Sequence, residues 1–247
     1  STQGYSSAAS DVYKRQIQIR PLLHIQIIFI VYIMLKLEKF TFNPFAENTY
    51  IVYDPVTKDG IVVDPGMATQ VEQNQFDRFI AEQGIHLSMI VNTHMHIDHC
   101  LGNNYIIKKY GINTAACATE IAFGENLDQQ ARFFGLNLKG FNTTVDIILN
   151  DGQLLHIGPN TLEIIAMPGH SPGGICIYDR ADGWVLSGDS LFLGSIGRTD
   201  LPGSNHSKLT HGIRTLLFTL PESTIVYPGH GPSTTIGHER GTNPYIS

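Results

Sequence analysis

The chain has 247 residues, of which 42% are hydrophobic and 15% are charged. This apolar content is enough for a sizeable core and excludes a disordered or low-complexity protein. The 16 basic and 22 acidic residues give a net charge of −6, which argues against a protein that binds a nucleic-acid backbone. Three cysteines without a CxxC motif argue against a disulfide framework and favour a reducing compartment, so we predict a cytoplasmic protein.

Residues 1–33 read as an N-terminal extension that we expect to be non-native or disordered. The apolar run over residues 21–35 follows three basic residues, which imitates an export signal. No small-x-small cleavage site follows it, and it is shorter than the roughly 20 apolar residues that cross a bilayer. Met34 then opens a well-patterned sequence, so we expect residues 34–247 to form a single domain that has no membrane partner. An export signal is the alternative.

The first half of this domain predicts short strands and two helices. Strands are predicted over residues 50–53, 61–64, 85–91 and 114–119, the first two joined by a turn at residues 54–60. Apolar residues at helical spacing predict a helix over residues 71–83 that stops at Gly84, and a second over residues 102–109 that closes at Gly111. Residues 121–150 indicate a mixture of helix and loop.

The second half repeats this style. Strands are predicted over residues 154–156, 161–165, 175–178, 184–186 and 225–227. A helix is predicted over residues 205–218, with Pro221 ending it. Hairpins mixed with helices, without strict βαβ alternation, indicate an α+β fold with two sheets packed face to face and helices outside.

The strongest chemical signal is a dense cluster directly after the strand at 85–91. His94, His96, Asp98 and His99 lie within six residues, in the pattern HxHxDH. Such a turn points several ligands inward, and imidazole nitrogen with carboxylate oxygen suits zinc or iron. The motif lies between a predicted hydrophobic strand and a predicted helix. A histidine-rich surface loop would instead have polar neighbours.

Three later strand ends carry the same kind of signal. His170 and His230 each follow a Pro-Gly pair, and Asp189 follows Gly188. One such tripeptide alone is weak, because a single histidine after a turn is usually structural. With the HxHxDH cluster they supply five histidines and two aspartates, enough for two metal ions with a carboxylate between them.

In this order of motifs the sequence resembles the metallo-β-lactamase superfamily. The resemblance implies a four-layer αββα sandwich with two divalent metal ions at the strand-end edge, zinc first, with iron or manganese as alternatives. It implies the following metal ligands: His94, His96 and His170 for the first ion, Asp98, His99 and His230 for the second, and Asp189 bridging both. The resemblance also implies a catalytic role for Asp98, in orienting a hydroxide that bridges the two ions. From its place after a strand, we expect Asp64 to hydrogen-bond a ligand histidine.

Within the superfamily the chain resembles the short bacterial proteins that are similar to glyoxalase II, hydroxyacylglutathione hydrolase. The segments GDSLF at 188–192, GRTDLP at 197–202, YPGHGP at 227–232 and GHER at 237–240 carry this resemblance. It implies hydrolysis of a small-molecule S-acyl thioester by the metal-bridged hydroxide, with a thiolate leaving. Only 17 residues follow His230, so we expect no C-terminal helical glutathione-binding domain.

Arg198 matches the position of a basic residue that contacts the glutathione carboxylate in the long enzymes. We predict it to bind a substrate carboxylate, for which its fork geometry is suited. The alternative is a loop-fixing ion pair with Asp200, a residue that we expect to be structural.

Other activities share much of this ligand set. A mononuclear iron persulfide dioxygenase would use His94, His170 and Asp189, and is the main alternative. A lactonase uses a near-identical set and is a minor one. A zinc β-lactamase is disfavoured because the best-known class has cysteine where this chain has Asp189. The acyl group, the thiol, the native metal and the oligomeric state stay open.

Overall fold

The computed structural model describes residues 34–136 and 139–246, so the extension predicted over residues 1–33 lies outside the described residues. The strands are β1 (Lys36–Phe42), β2 (Glu47–Tyr53), β3 (Asp59–Val63), β4 (His86–Val91), β5 (Asn113–Cys117), β6 (Ile147–Leu149), β7 (Leu154–Ile157), β8 (Asn160–Ala166), β9 (Ile175–Asp179), β10 (Trp184–Gly188), β11 (Leu191–Phe192), β12 (Ser195–Ile196), β13 (Ile225–Pro228) and β14 (Thr234–Thr235). The α-helices are α1 (Gln70–Gln83), α2 (Asn103–Tyr110), α3 (Ile121–Gly124), α4 (Leu127–Phe133), α5 (His206–Thr215) and α6 (Ile236–Thr242). In the described part of the chain, no helix combines the length and apolar character needed to span a bilayer.

Two six-stranded sheets form the centre of the fold. The first has the order β1-β2-β3-β4-β5-β6, antiparallel among β1, β2 and β3 and parallel from β3 to β6. The second has the order β14-β13-β10-β9-β8-β7, in which only β10 and β13 pair in parallel. The short hairpin β11-β12 stands apart from both sheets.

Three hydrophobic clusters show how these elements are layered. Val63 and Val91 of the first sheet share a cluster with Ile164 and Leu186 of the second, so the sheets pack face to face. The other face of the first sheet packs on α1 and α2, and that of the second sheet packs on α5 and α6. The predicted four-layer αββα sandwich is therefore confirmed.

Helix boundaries follow local chemistry. Thr69 and Glu72 form a capping box at the start of α1, and Gly84 ends that helix with a φ of 66°, a conformation that favours glycine. The predicted helix over residues 205–218 is too long. Helix α5 ends at Thr215, and a separate 3-10 turn over Leu217–Thr219 continues the apolar pattern because it also buries Leu217.

Asp77 joins α1 to α2 through a polar cluster. Its carboxylate accepts hydrogen bonds from the Tyr105 hydroxyl, the Lys109 ammonium and, at 2.7 Å, the Tyr110 hydroxyl. Burial alone would raise the pKa of Asp77, but these hydrogen bonds outweigh it and lower that pKa. The charged carboxylate therefore stabilises the contact between the two helices.

Candidate metal centre

The predicted metal ligands all follow strand ends at one edge of the sandwich. Strands β3 and β4 run parallel, so the residues after them, Asp64 and the 94–99 cluster, emerge together. Strands β8, β10 and β13 share a direction as well, because β9 lies antiparallel between β8 and β10, and β10 pairs in parallel with β13. His170, Asp189 and His230 therefore emerge beside one another.

His94, His96 and His170 form the first group, in which ring nitrogens lie within 4.8 Å of one another. All three side chains are buried, and His96 Nδ1 lies 2.9 Å from His170 Nε2. Burial, with repulsion from neighbouring imidazoles, lowers the pKa of His94 well below its usual value and that of His96 to about 3. Both rings are therefore neutral at physiological pH, which is the form that binds metal.

Asp98, His99 and His230 form the second group. His230 Nε2 lies 3.2 Å from Asp98 Oδ2 and 3.3 Å from His99 Nε2. Burial by itself favours neutral His99, but the carboxylates around it, that of Asp189 foremost, outweigh this and raise its pKa. This group thus differs from the first in carrying carboxylate charge.

Asp189 lies between the two groups. Its Oδ1 is 3.4 Å from His99 Nε2, and its Oδ2 is 3.6 Å from His170 Nε2 and 3.5 Å from His230 Nε2. Burial would raise the pKa of Asp189, but the nearby His99 outweighs burial and lowers it. This position, in contact range of both groups, is the one that a bridging carboxylate requires.

In four of the histidines, Nδ1 contacts an oxygen atom, and this contact orients the ring. His99 Nδ1 donates to Asp64 Oδ2 at 3.1 Å, as the sequence predicted. His170 Nδ1 donates to the Arg198 carbonyl at 2.8 Å, and His230 Nδ1 lies 3.1 Å from the Phe45 carbonyl. His94 Nδ1 lies 3.1 Å from Thr93 Oγ1, whose hydroxyl contacts Asp64 at 2.5 Å. Such outer partners orient the rings of metal-binding histidines and set which nitrogen is available.

The donor set fits divalent metal ions. His94 Nε2 and Asp189 Oδ1 are buried and have no hydrogen-bond partner among the described residues, which is costly unless an ion compensates. A Cβ on Gly229 would collide with Asp189 Oδ1 and the His99 ring, so glycine keeps this space open. Nitrogen and carboxylate donors in two adjacent groups suit zinc, iron or manganese.

Arg198 forms the predicted ion pair with Asp200. Its Nε and Nη2 donate to the two carboxylate oxygens at 2.7 and 2.8 Å, and the guanidinium side chain is 56% exposed. Arg198 also lines a cavity of about 300 Å³ over the metal-binding groups, together with His170 and Asp189. Both predicted roles therefore remain available to this residue, because the ion pair is exposed and easily exchanged.

Glu120 is a positioning residue that the sequence did not reveal. It is fully buried, and its oxygens accept from the backbone N–H groups of Met95 at 2.8 Å and Gly173 at 2.7 Å. It thereby ties the HxHxDH loop to the loop that carries His170. The partners are backbone groups, which carry no residue-type signal, and only its position just before the uncertain 121–150 segment could have drawn attention to it.

The comparisons with known proteins agree with this site. A family model described as the metallo-beta-lactamase superfamily matches residues 42–230. The probable metallo-hydrolase YqgX of Bacillus subtilis is 34% identical over 219 residues, covering 86% of this chain and 98% of that protein. The hydroxyacylglutathione hydrolase GloC of Haemophilus influenzae is 30% identical over 220 residues, covering 86% of this chain and 99% of that protein.

Solved structures give the same result. The BLEG-1 B3 metallo-beta-lactamase superposes with a TM-score of 0.77 at 30% identity, covering 86% of this chain and all of that one. TTHA1623, in a di-iron-bound form, superposes with a TM-score of 0.74 at 31% identity, covering 84% of this chain and 99% of that one. The chain belongs to the metallo-beta-lactamase superfamily and is a metal-dependent hydrolase of that family.

Proposed function

We propose that the protein hydrolyses S-acyl thioesters of the S-hydroxyacylglutathione kind and carries two divalent metal ions. Zinc is the first expectation, and iron or manganese are alternatives, iron being the metal named for the similar TTHA1623. The observation that carries the proposal is the position of Asp189 in contact range of both histidine groups. When bound, such a pair of ions activates water and stabilises negative charge on an oxygen.

The residues around the ions divide the remaining work. The first group, His94, His96 and His170, would hold one ion, and Asp98, His99 and His230 the other. Asp98 Oδ2 lies 3.2 Å from His230 Nε2 and 3.7 Å from His99 Nε2, which leaves its other oxygen to accept a hydrogen bond from the attacking water. We assign Asp98 this orienting role, which is the one that the family resemblance implies.

A thioester suits the cavity over these groups. Among the described residues that line it, every histidine and aspartate is a predicted metal ligand, and none is a lysine, tyrosine or cysteine, so none is left to protonate a poor leaving group. A thiolate leaves without a strong general acid, so this deficit does not prevent turnover. The hydroxyacylglutathione hydrolase named for the Haemophilus influenzae relative supports the same substrate class. As in the sequence analysis, Arg198 is proposed to meet a substrate carboxylate.

The test uses the full chain, freed of metal with a chelator and reloaded with zinc, iron or manganese. We expect binding of two ions per chain, measured by elemental analysis, and hydrolysis of S-lactoylglutathione, followed by loss of thioester absorbance. Replacing Asp98→Ala should reduce kcat by at least about a hundredfold, the lower end for a general acid–base group. Glu125→Gln, a change at an exposed side chain that is not a predicted ligand, is the matched control.

Three results would count against the proposal. One ion per chain, with oxygen uptake in the presence of glutathione persulfide, would support the mononuclear iron dioxygenase. Turnover of lactones without turnover of thioesters would support a lactonase. Turnover of β-lactams alone would support the activity named for the similar BLEG-1 structure.

A further inference from the structure

A second cavity opens beside the metal centre. Its volume is about 290 Å³, and it shares His96, Phe134 and Leu201 with the cavity over the metal-binding groups. The two spaces therefore adjoin along a common wall. This volume is close to the lower end of the range for small-molecule pockets, about 300 Å³. Because the predicted ligand His96 lines both spaces, a substrate held over the metal-binding groups would have one arm beside the second cavity.

The wall of this second cavity is apolar. Phe123, Phe133, Phe134, Leu201 and Pro202 contribute to it, and none of the described residues that line it is Asp, Glu, Lys or Arg. Such a wall favours a hydrocarbon group and disfavours a carboxylate or an ammonium group, which would lose hydration without gaining a partner.

Two of the three carboxamide side chains in the wall, those of Gln130 and Asn126, are bound to the protein backbone. Gln130 Oε1 accepts from the Ile97 N–H at 3.1 Å, and its Nε2 donates to the Met95 and Phe123 carbonyls at 3.0 and 3.1 Å. Asn126 Nδ2 donates to the Ala122 carbonyl in α3 at 2.7 Å. These side chains therefore brace the wall instead of offering it as a polar binding surface.

The cationic contact lies in the other cavity. Arg198 lines the space over the metal-binding groups, but it is not among the described residues that line the apolar cavity. The two arms of a thioester thus meet different chemistry. The glutathione part of such a thioester carries carboxylate groups. It is therefore suited to the cavity that Arg198 lines.

We propose that the apolar cavity is an acyl-binding site, which makes thioesters with hydrocarbon or aromatic acyl groups better substrates than those with a small hydroxyacyl group. This inference rests on the proposed thioesterase function and deepens it. Phe133 is exposed, and it would contact the outer end of the acyl chain. The ring of Phe123, whose centroid lies 6.2 Å from that of His96, would contact the end of the chain nearer the metal centre.

The kinetic test compares S-acetyl-, S-butanoyl-, S-hexanoyl- and S-lactoylglutathione with the zinc-loaded full chain. We expect kcat/KM to rise with acyl length by up to about fourfold per methylene. Ala122→Asp places a carboxylate in the cavity at an exposed position, so folding is preserved. It should lower kcat/KM for the hexanoyl substrate at least tenfold more than for the acetyl substrate. Ala81→Asp, at an exposed position of α1, is the matched control.

A binding test separates this inference from the proposed function. S-hexylglutathione and S-methylglutathione are thioethers that cannot be hydrolysed, and their affinities are measured by calorimetry. We expect the hexyl compound to bind at least tenfold more tightly and Ala122→Asp to remove the difference. Equal affinities, or a difference that Ala122→Asp leaves intact, would overturn the acyl site even if thioesters are hydrolysed. A hexyl preference that Ala122→Asp removes, without turnover of any thioester, would uphold the apolar site and overturn the thioesterase.

Discussion

Glu120 offers the sharpest test of how the metal centre is held together. Its buried carboxylate accepts two backbone N–H groups, from Met95 between two predicted ligands and from Gly173 in the loop after His170. No residue of this clamp is a predicted metal ligand. Glu120→Gln keeps the size of the side chain and changes only its hydrogen-bonding capacity.

The magnitude follows from what the amide cannot do. Its one oxygen can serve one N–H, and its NH₂ then faces the other N–H as donor against donor. The change removes a bond to a charged group, worth about 1.5–3 kcal/mol, and leaves a buried donor unpaired. We expect the free energy of unfolding to fall by about 2–4 kcal/mol. Because the clamp positions two ligand loops, zinc affinity should fall by about 10- to 100-fold.

Two assays separate these effects. Urea unfolding of the chelator-treated protein measures stability, and competition with a chromophoric chelator measures zinc affinity. The control is Glu125→Gln, five residues along and exposed, which should change neither quantity. Unchanged stability and affinity in Glu120→Gln would refute the clamp. Reduced stability with unchanged zinc affinity would show that Glu120 supports the fold without positioning the ligands.

Three further changes test separate parts of the structure. Asp64→Asn weakens the orientation of His99, so zinc affinity, measured by the same competition, should fall about 10- to 100-fold; an unchanged value would contradict this. Asp200→Ala releases Arg198 from an exposed pair, so the urea midpoint of unfolding should stay unchanged; a clear shift would contradict this. Asp77→Asn should cost about 1.5–3 kcal/mol at pH 7. The pKa of Asp77 is lowered in the folded protein, so its contribution is fully present above the unfolded pKa of about 3.9 and is lost as pH falls through the lower folded-state pKa. The difference in stability between the variant and the wild type should therefore shrink as the pH is lowered in that range.

Much of the sandwich was predictable because its strands are short, apolar and closed by turn residues. The hairpin before Asp64 and the buried run before His94 both lie where the sequence predicts strands, within a few residues. The same pattern placed the site. Each predicted ligand follows a predicted strand and a turn, so parallel strand directions bring them to one edge.

The parts of the fold and site that could not be predicted depend on contacts that the types of residue do not indicate. Helices α3 and α4 are only four and seven residues long, too short for a helical period to stand out. The hairpin β11-β12 has two residues in each strand, which is too few to show the alternation of apolar and polar residues that indicates a strand. Glu120 acts through backbone groups of distant loops, so its role appears only when the chain is folded.

The two metal-binding groups are chemically unequal, and Asp189 is what relates them. Burial lowers the pKa values of His94 and His96, so both rings are neutral. An ion in the first group would therefore meet imidazole nitrogens that carry no negative charge. The second group has its own carboxylate in Asp98 and a further one behind His99. Among the predicted ligands, an ion in the first group would have Asp189 as its one carboxylate, whereas an ion in the second group would have Asp98 as well. Loss of Asp189 should accordingly weaken the first group more than the second, although the residue contacts both.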